Sequence, residues 1–244
     1  MGARLRLHCE GCGPLVSNHS TETLDRPTGA GRQVHELART DALLTLHAAA
    51  RDADATHLEF VLTTQRIMRL LLEDALGRLQ HTDSTPTTPI GAPFPGRRRV
   101  QQETFAVSVP RAGDALEAEL RAIVPDARLG KILIQRDPDR KVPVFHWSKL
   151  PDGLAGSEVL LLDPMMATAG TVKMAVSVLA AAGVRPADII LVNFLTCPEA
   201  LERLFDEYPE IRVVTSFIDE GLTEQAFMRP GIGDFGDRYY GTYR

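Results

Sequence analysis

The chain has 244 residues, 44% hydrophobic and 24% charged, and carries a formal net charge of −5. These values suit one large or two modest globular domains with a hydrophobic core, and the negative charge gives no electrostatic footprint for nucleic acid. No apolar run reaches the roughly 18 residues of a transmembrane helix, and three cysteines argue against a disulfide framework. We therefore expect a cytoplasmic protein that binds neither nucleic acid nor membranes.

The first segment, residues 1–36, is rich in Gly, Ser, Thr, Arg and Pro, which predicts a flexible N-terminal arm. The arm contains a single C-x-x-C pair, Cys9 and Cys12, beside His8. A zinc site usually requires a second pair of ligands, so we predict no metal site in this arm. Residues 37–244 are predicted to form one domain.

Two helical patterns follow the arm. The stretches ELARTDALLTLHAAARDA and FVLTTQRIMRLLLEDALGRL both place apolar residues at helical spacing. The next segment, residues 82–96, contains four prolines and is predicted to be a connector.

From Thr104 onward, short apolar runs alternate with amphipathic stretches. Apolar strands separated by such helices indicate a parallel sheet that is covered on both faces. We therefore predict an α/β fold with a mainly parallel five-stranded sheet flanked by helices. The five predicted strands are TFAVSV, KILIQ, EVLLLD, DIILVNF and IRVVTSF.

In an open parallel sheet, ligands bind beyond the carboxyl ends of the strands. One such junction reads DPMMATAGT, in which Asp163 follows the strand and Thr168, Gly170 and Thr171 precede or open a helix. Hydroxyls and unhindered N–H groups at a helix N-terminus favour phosphate binding, although an ordinary threonine-capped turn fits the same pattern. The lysine of a P-loop is missing from this stretch.

Two arginines stand at other strand ends. Arg111 and Arg136 could clamp phosphate oxygens bidentately, or could simply be solvated surface charges. The last junction, GIGDFG at residues 231–236, has the spacing of the dinucleotide-binding motif. That motif must open a βαβ unit with an acidic residue about 20 positions later, and the sequence ends at Arg244. We therefore expect these glycines to have another role.

Together, these segments resemble the uracil phosphoribosyltransferases, especially those of the eukaryotic type, over roughly residues 55–244. VPRAG and KILIQRD resemble the two arginine motifs of the family, DPMMATAGT resembles its phosphoribosyl-pyrophosphate loop, and PGIGDFGDRYYGT resembles its C-terminal signature. The resemblance implies a type I phosphoribosyltransferase fold, with a small hood over the active site to which the C-terminal segment contributes.

The resemblance also implies an activity, the conversion of uracil and 5-phosphoribosyl 1-pyrophosphate to UMP and pyrophosphate with Mg²⁺, in a homodimer or homotetramer. Arg111 and Arg136 would bind the pyrophosphate, Asp163 would contact the ribose hydroxyls, and Asp234 would face the donor and its Mg²⁺. These four residues are the implied catalytic residues. The loop around the 5-phosphate would consist of Met166, Ala167, Thr168, Ala169, Gly170 and Thr171, and the uracil site of Met228, Gly233, Asp234 and Phe235.

The sequence departs from the family pattern in three places, the first of which is Pro110, which replaces an aliphatic residue before Arg111. Ala169 stands where uracil enzymes commonly have glycine, and Phe227, Met228 and Arg229 differ from the usual residues of the base pocket. Two alternatives therefore stay open beside the uracil enzyme. One is a phosphoribosyltransferase for another nucleobase, and the other is a non-catalytic homologue that binds a nucleotide or a partner as a regulator.

Overall fold

The computed structural model describes residues 33–137 and 142–242, so most of the predicted arm, with Cys9 and Cys12, lies outside the described residues. The last four residues of the predicted arm form strand β1 (Gln33–Glu36), which joins the edge of the main sheet in parallel. A four-residue strand whose buried side chains include both Val34 and the polar Glu36 shows no apolar periodicity in the sequence.

Both predicted helices are confirmed as α1 (Asp41–Arg51) and α2 (His57–Gly77). Each begins after a threonine whose hydroxyl accepts a backbone N–H, and at α2 the threonine is part of a complete capping box. The predicted connector corresponds to a hairpin of β2 (His81–Ser84) and β3 (Gly96–Arg99), with the prolines between the two strands.

The strands of the main sheet beyond β1 are β4 (Phe105–Ser108), β5 (Arg128–Arg136), β6 (Pro143–Lys149), β7 (Val159–Leu162), β8 (Met165–Met166), β9 (Ile189–Thr196) and β10 (Arg212–Ile218). The eight strands have the order β1-β10-β9-β7-β4-β5-β6, and β8 also pairs with β9. All five predicted strands are present and parallel to one another, which confirms the mainly parallel α/β fold. The sheet is larger than predicted because β1 is added at one edge and an antiparallel strand, β6, at the other.

Strands β4, β7 and β9 are buried at every residue. Successive side chains of a strand point to opposite faces, so both faces of the sheet are covered. Helix α2 packs on β9 and β10, while α3 (Gly113–Ile123) packs on β4 and β7. The remaining two long connections contain α4 (Gly170–Ala181) and α5 (Pro198–Phe205).

The C-terminal segment leaves the sheet after β10. It forms a small hairpin of β11 (Gly221–Leu222) and β12 (Met228–Arg229), followed by the short helix α6 (Phe235–Tyr240). Within residues 33–137 and 142–242, no helix combines the length and apolar content that crossing a bilayer requires.

Candidate active site

A cavity of about 610 Å³ opens at the carboxyl edge of the parallel sheet. Four segments line it: residues 109–112 after β4, residues 133–135 near the end of β5, the stretch after β7 from 163 to 171, and the C-terminal segment from 226 to 236. The sequence predicted chemistry at these same junctions. The volume suits a small-molecule ligand.

Arg111 lies at the rim of this cavity with its side chain about half exposed. Its guanidinium donates hydrogen bonds to Asp237 Oδ1 at 2.6 Å and to Thr242 Oγ1 at 2.7 Å, and its carbonyl accepts one from the Tyr240 hydroxyl at 3.1 Å. The hydrogen bonds from Thr242 and Arg111 lower the pKa of Asp237. The C-terminal segment thus holds the strand-end arginine, a contact that sequence reasoning missed because its partners lie about 130 residues apart.

Arg136 is the last residue of β5, but its side chain is not among those that the structure describes. The preceding residues of the strand, Leu133, Ile134 and Gln135, line the cavity. The end of β5 therefore reaches the site, and the role of the Arg136 side chain stays a prediction.

The loop after β7 places Asp163 in the cavity wall, with the residue largely buried. This loop ends at α4, whose N-cap is Ala169 in the left-handed conformation, with φ 61°. The side chain of this alanine makes no cap hydrogen bond, so the N-cap is not the threonine that the sequence also allowed. The first N–H groups of a helix have no partner within the helix, and the N-cap side chain supplies none here. Ala167 and Thr171, on either side of this terminus, line the cavity.

Two side chains of β9 donate hydrogen bonds to the main chain of the loop after β7. The Asn193 amide donates to the carbonyl of Asp163, and the Thr196 hydroxyl donates to the carbonyl of Met166, both at 3.0 Å. The Met166 side chain itself is buried in the core. Of Met166, only the main chain can therefore take part in the predicted phosphate loop.

Cys197 continues this support at the end of β9. Its thiol lies 3.6 Å from the carbonyl of Ala167 and donates to it. Burial raises the pKa of the Cys197 thiol to about 11, so the group stays protonated at neutral pH. The residue is therefore a buried hydrogen-bond donor rather than a nucleophile.

The C-terminal segment forms the other wall of the cavity. Met228 is buried, whereas Phe227 is 62% exposed, and both line the cavity. Arg229 lies outside the lining, beside Glu220 at 3.6 Å on the surface. Of the three departures at residues 227–229, Phe227 and Met228 therefore line the cavity and Arg229 does not.

The three glycines of GIGDFG meet two different requirements. Gly231 has φ +75°, and a Cβ there would lie 2.3 Å from the carbonyl oxygen of Met228. Gly233 also has φ +75° and lines the cavity, while a Cβ on Gly236 would approach the Arg111 guanidinium at 3.3 Å. Positive φ thus accounts for both Gly231 and Gly233, whereas Gly236 leaves room for the Arg111 guanidinium.

Asp234, between these glycines, is exposed and lines the cavity. Its side chain caps α6 by accepting the N–H of Asp237 at 2.8 Å. Phe235 follows with a buried ring, stacked on Tyr239 and in edge contact with Phe60 of α2. These contacts anchor the predicted base-binding stretch to the body of the protein.

Comparison with known proteins agrees with this architecture. The family model for uracil phosphoribosyltransferase matches residues 37–242. The chain is 42% identical over 211 residues to the uracil phosphoribosyltransferase of Dictyostelium discoideum, covering 84% of this chain and 95% of that protein. Uracil phosphoribosyltransferase 1 of Schizosaccharomyces pombe is 40% identical over 209 residues, covering 86% and 95% respectively.

A solved structure shares the fold as well. The AQ2163 protein from Aquifex aeolicus matches with a TM-score of 0.73 at 27% sequence identity, over 85% of this chain and 98% of that one. The family match covers residues 37–242, and the two relatives named above are at least 40% identical over more than four fifths of the chain. The chain belongs to the uracil phosphoribosyltransferase family.

Proposed function

We propose that this protein transfers the phosphoribosyl group of 5-phosphoribosyl 1-pyrophosphate to uracil, giving UMP and pyrophosphate. One observation carries the proposal: a single cavity brings together a strand-end arginine, an uncapped helix N-terminus and a stretch of glycine-rich main chain. These three features suit the pyrophosphate, the 5-phosphate and the base respectively.

The 5-phosphate would bind at the start of α4. Orphan N–H groups and the helix dipole both favour an anion there. The loop from Met166 to Thr171 would surround it, with Thr171 adding a hydroxyl from the cavity wall. Asp163, held through its carbonyl by Asn193, would accept hydrogen bonds from the ribose hydroxyls.

Pyrophosphate would leave from the side of Arg111 and Arg136. In the reaction, the bond between the anomeric carbon and the pyrophosphate oxygen breaks while a bond to the uracil nitrogen forms, and the proton of that nitrogen leaves with the pyrophosphate or to water. The sugar becomes cation-like and negative charge develops on the leaving group, so catalysis depends on neutralising that charge and holding the base in line. Arg111 supplies a guanidinium that Asp237 and Thr242 already hold at the rim.

Magnesium would arrive with the donor. Mg²⁺ is typically bound by one or two carboxylates together with substrate phosphates. The carboxylates of Asp163 and Asp234 both line the cavity, and the described residues contain no cluster of three or more ligands that could hold the ion alone. This donor set fits an ion shared with pyrophosphate, and such an ion would help to neutralise the leaving group.

Uracil would be recognised by main chain. Its edge presents an N–H group and carbonyls, which backbone carbonyls and N–H groups complement. We assign this contact to two parts of the C-terminal wall, Met228 and the stretch Gly233, Asp234 and Phe235. The exposed Phe227 ring would then cover the mouth of the site.

Incubation of the purified chain with radiolabelled uracil, donor and Mg²⁺ tests the proposal. We expect labelled UMP to form, and we expect donor with Mg²⁺ alone to raise the melting temperature, because a ligand that binds the folded state stabilises it. A rise in melting temperature without any UMP would overturn the proposed activity while leaving donor binding in place.

A further inference from the structure

Arg51, the last residue of α1, reaches the C-terminal wall of the cavity although it is remote in sequence. Its guanidinium donates to both carboxylate oxygens of Asp219, at 2.7 and 3.3 Å, and to the carbonyl of Gly231 at 2.8 Å. The Asp219 carboxylate in turn accepts the N–H of Gly231 at 2.9 Å. One ion pair thus holds both main-chain polar groups of Gly231.

This pair is buried. The Asp219 side chain is fully inaccessible to solvent, and the Arg51 side chain is 16% exposed. A buried charge must be paired and hydrogen-bonded, so the two residues have little freedom to adopt another arrangement. Because both of its main-chain polar groups are bound to this buried pair, Gly231 cannot move without breaking these hydrogen bonds.

Gly231 lies between the two parts of the predicted base site. Met228 precedes it and Gly233 follows it, and the positive φ of Gly231 forms the turn between them. The carbonyl of Met228 comes so close to Gly231 that even a methyl group would not fit. A displacement of Gly231 must therefore move the main chain on both sides.

A second arginine strengthens the same connection. Arg238 of α6 donates to the carbonyl of Ile232 at 2.9 Å and to the carbonyls of Ala50 and Asp52 at 2.8 Å. The end of α1 is thus linked to the C-terminal wall by two guanidinium groups.

Part of this wall is packed and part is open. The side chains of Ile232 and Phe235 are buried, whereas Gly233 and Asp234 are exposed and line both the main cavity and a separate cavity of about 430 Å³. Between the packed side chains, polar contacts to Gly231 and Ile232 hold the main chain.

We propose that Arg51 and Asp219 form a positioning pair for the base subsite. Neither residue lines the main cavity, and both act through the main chain of Gly231. The pair sets the geometry in which residues 228–235 meet the nucleobase and leaves the donor subsite to the sheet. This inference rests on the proposed function for the identity of the base.

The test uses Arg51→Gln and Asp219→Asn, each in the full chain. We expect either substitution to raise the KM for uracil by about tenfold or more, with the KM for the donor changed by less than about threefold. Hydrogen exchange should show faster exchange of the amides between residues 228 and 236. If Arg51→Gln fails to fold, Asp219→Asn decides, because it keeps an acceptor for Gly231.

Arg212→Gln is the matched control. Arg212 pairs with buried Glu158 at 2.9 Å and is likewise 16% exposed, but it lies at the amino end of β10, across the sheet from the site. A purely structural role for Arg51 predicts that both arginine variants lose stability and leave the ratio of the two KM values alone. A positioning role predicts a changed ratio in the Arg51 variant only.

The outcomes separate the two proposals. If the unaltered protein makes no UMP, the proposed function fails. The rate of amide exchange at residues 228–236 in the Arg51 and Asp219 variants then tests by itself whether the pair positions this segment. Unchanged exchange at residues 228–236, or an equal rise in both KM values, would overturn the positioning role even in a fully active enzyme.

Discussion

The two walls of the cavity are built in different ways. The wall that we propose for the donor, the donor wall, consists of short loops at the ends of buried parallel strands, and its main chain accepts hydrogen bonds from the β9 side chains of Asn193 and Thr196. The wall that we propose for the base, the base wall, consists of residues 219–242, which leave the sheet and contact distant segments through Arg51, Arg111 and the ring of Phe235. The position of the first wall thus depends on the sheet and that of the second on long-range contacts, so we expect the two walls to respond differently to substitution.

The largest effect is expected at Arg111, which connects the walls. We expect Arg111→Ala to lower kcat/KM for UMP formation by about 100- to 1,000-fold, since it removes charge stabilisation from the leaving group. Initial rates of UMP formation give the measurement. Arg121→Ala, which removes an exposed arginine of α3 that pairs with Glu117, should keep the rate. An equal loss in both variants would contradict the role of Arg111.

The turn at Gly231 separates structural from ligand-related requirements on the base wall. We expect Gly231→Ala to lower the free energy of unfolding by about 3 kcal/mol, because the added Cβ meets a backbone carbonyl at positive φ. Gly77 is the last residue of α2, and a Cβ added there would have no contact within 4 Å beyond its own helix and chain neighbours. We therefore expect Gly77→Ala to raise the free energy of unfolding by about 0.5 kcal/mol. Urea denaturation measures both values. Similar changes in the two variants would show that the turn is less constrained than described.

The α1 support of the base wall should weaken in acid. His47 is buried against Phe194 and Phe217, and this burial, together with nearby Arg51, lowers its pKa from 6.5 to about 4. The neutral ring is stable in the fold above pH 6.5, and stability falls as pH drops toward 4, because the unfolded chain takes up the proton first. Between pH 7 and 5 the loss is about 2 kcal/mol.

His47→Leu isolates this contribution. Free energies of unfolding at pH 7 and pH 5 should differ less in the variant than in the unaltered protein, by that same amount. Identical pH dependence in the two proteins would mean that His47 is not the responsible group.

The smallest expected change in the free energy of unfolding concerns one alanine on each wall. Ala169 and Ala226 both have positive φ, at 61° and 63°. Left-handed backbone costs alanine about 1 kcal/mol, partly offset by the extra chain entropy of glycine when unfolded. We expect Ala169→Gly and Ala226→Gly each to raise the free energy of unfolding by about 0.5 kcal/mol. A loss of stability in either variant would show that its side chain contributes packing that outweighs the strain.

The sequence predicted the central strands of the sheet better than its edge strands for a physical reason. Continuous apolar runs that end in Asp163 or Arg111 reveal both a buried strand and its functional end. The edge strands escaped prediction because β1 is short and β6 has exposed Phe145 and Trp147, so neither has the pattern of a buried strand.

Long-range partners could not be predicted at all. Arg51 and Asp219 are 168 residues apart, and nothing in their spacing links them. The hydrogen bonds from β9 to the loop after β7 depend on strand register, which the sequence pattern does not specify. The individual reasons for the glycines of GIGDFG likewise required the conformation of the turn at Gly231.

A competition assay tests the combined site most directly. The purified chain is incubated with 5-phosphoribosyl 1-pyrophosphate, Mg²⁺ and equal concentrations of uracil, cytosine, adenine, guanine and hypoxanthine, and the nucleotides formed are separated and identified. A base wall that holds uracil beside the donor predicts UMP as the sole nucleotide product. Formation of another nucleotide, or of none, would contradict it.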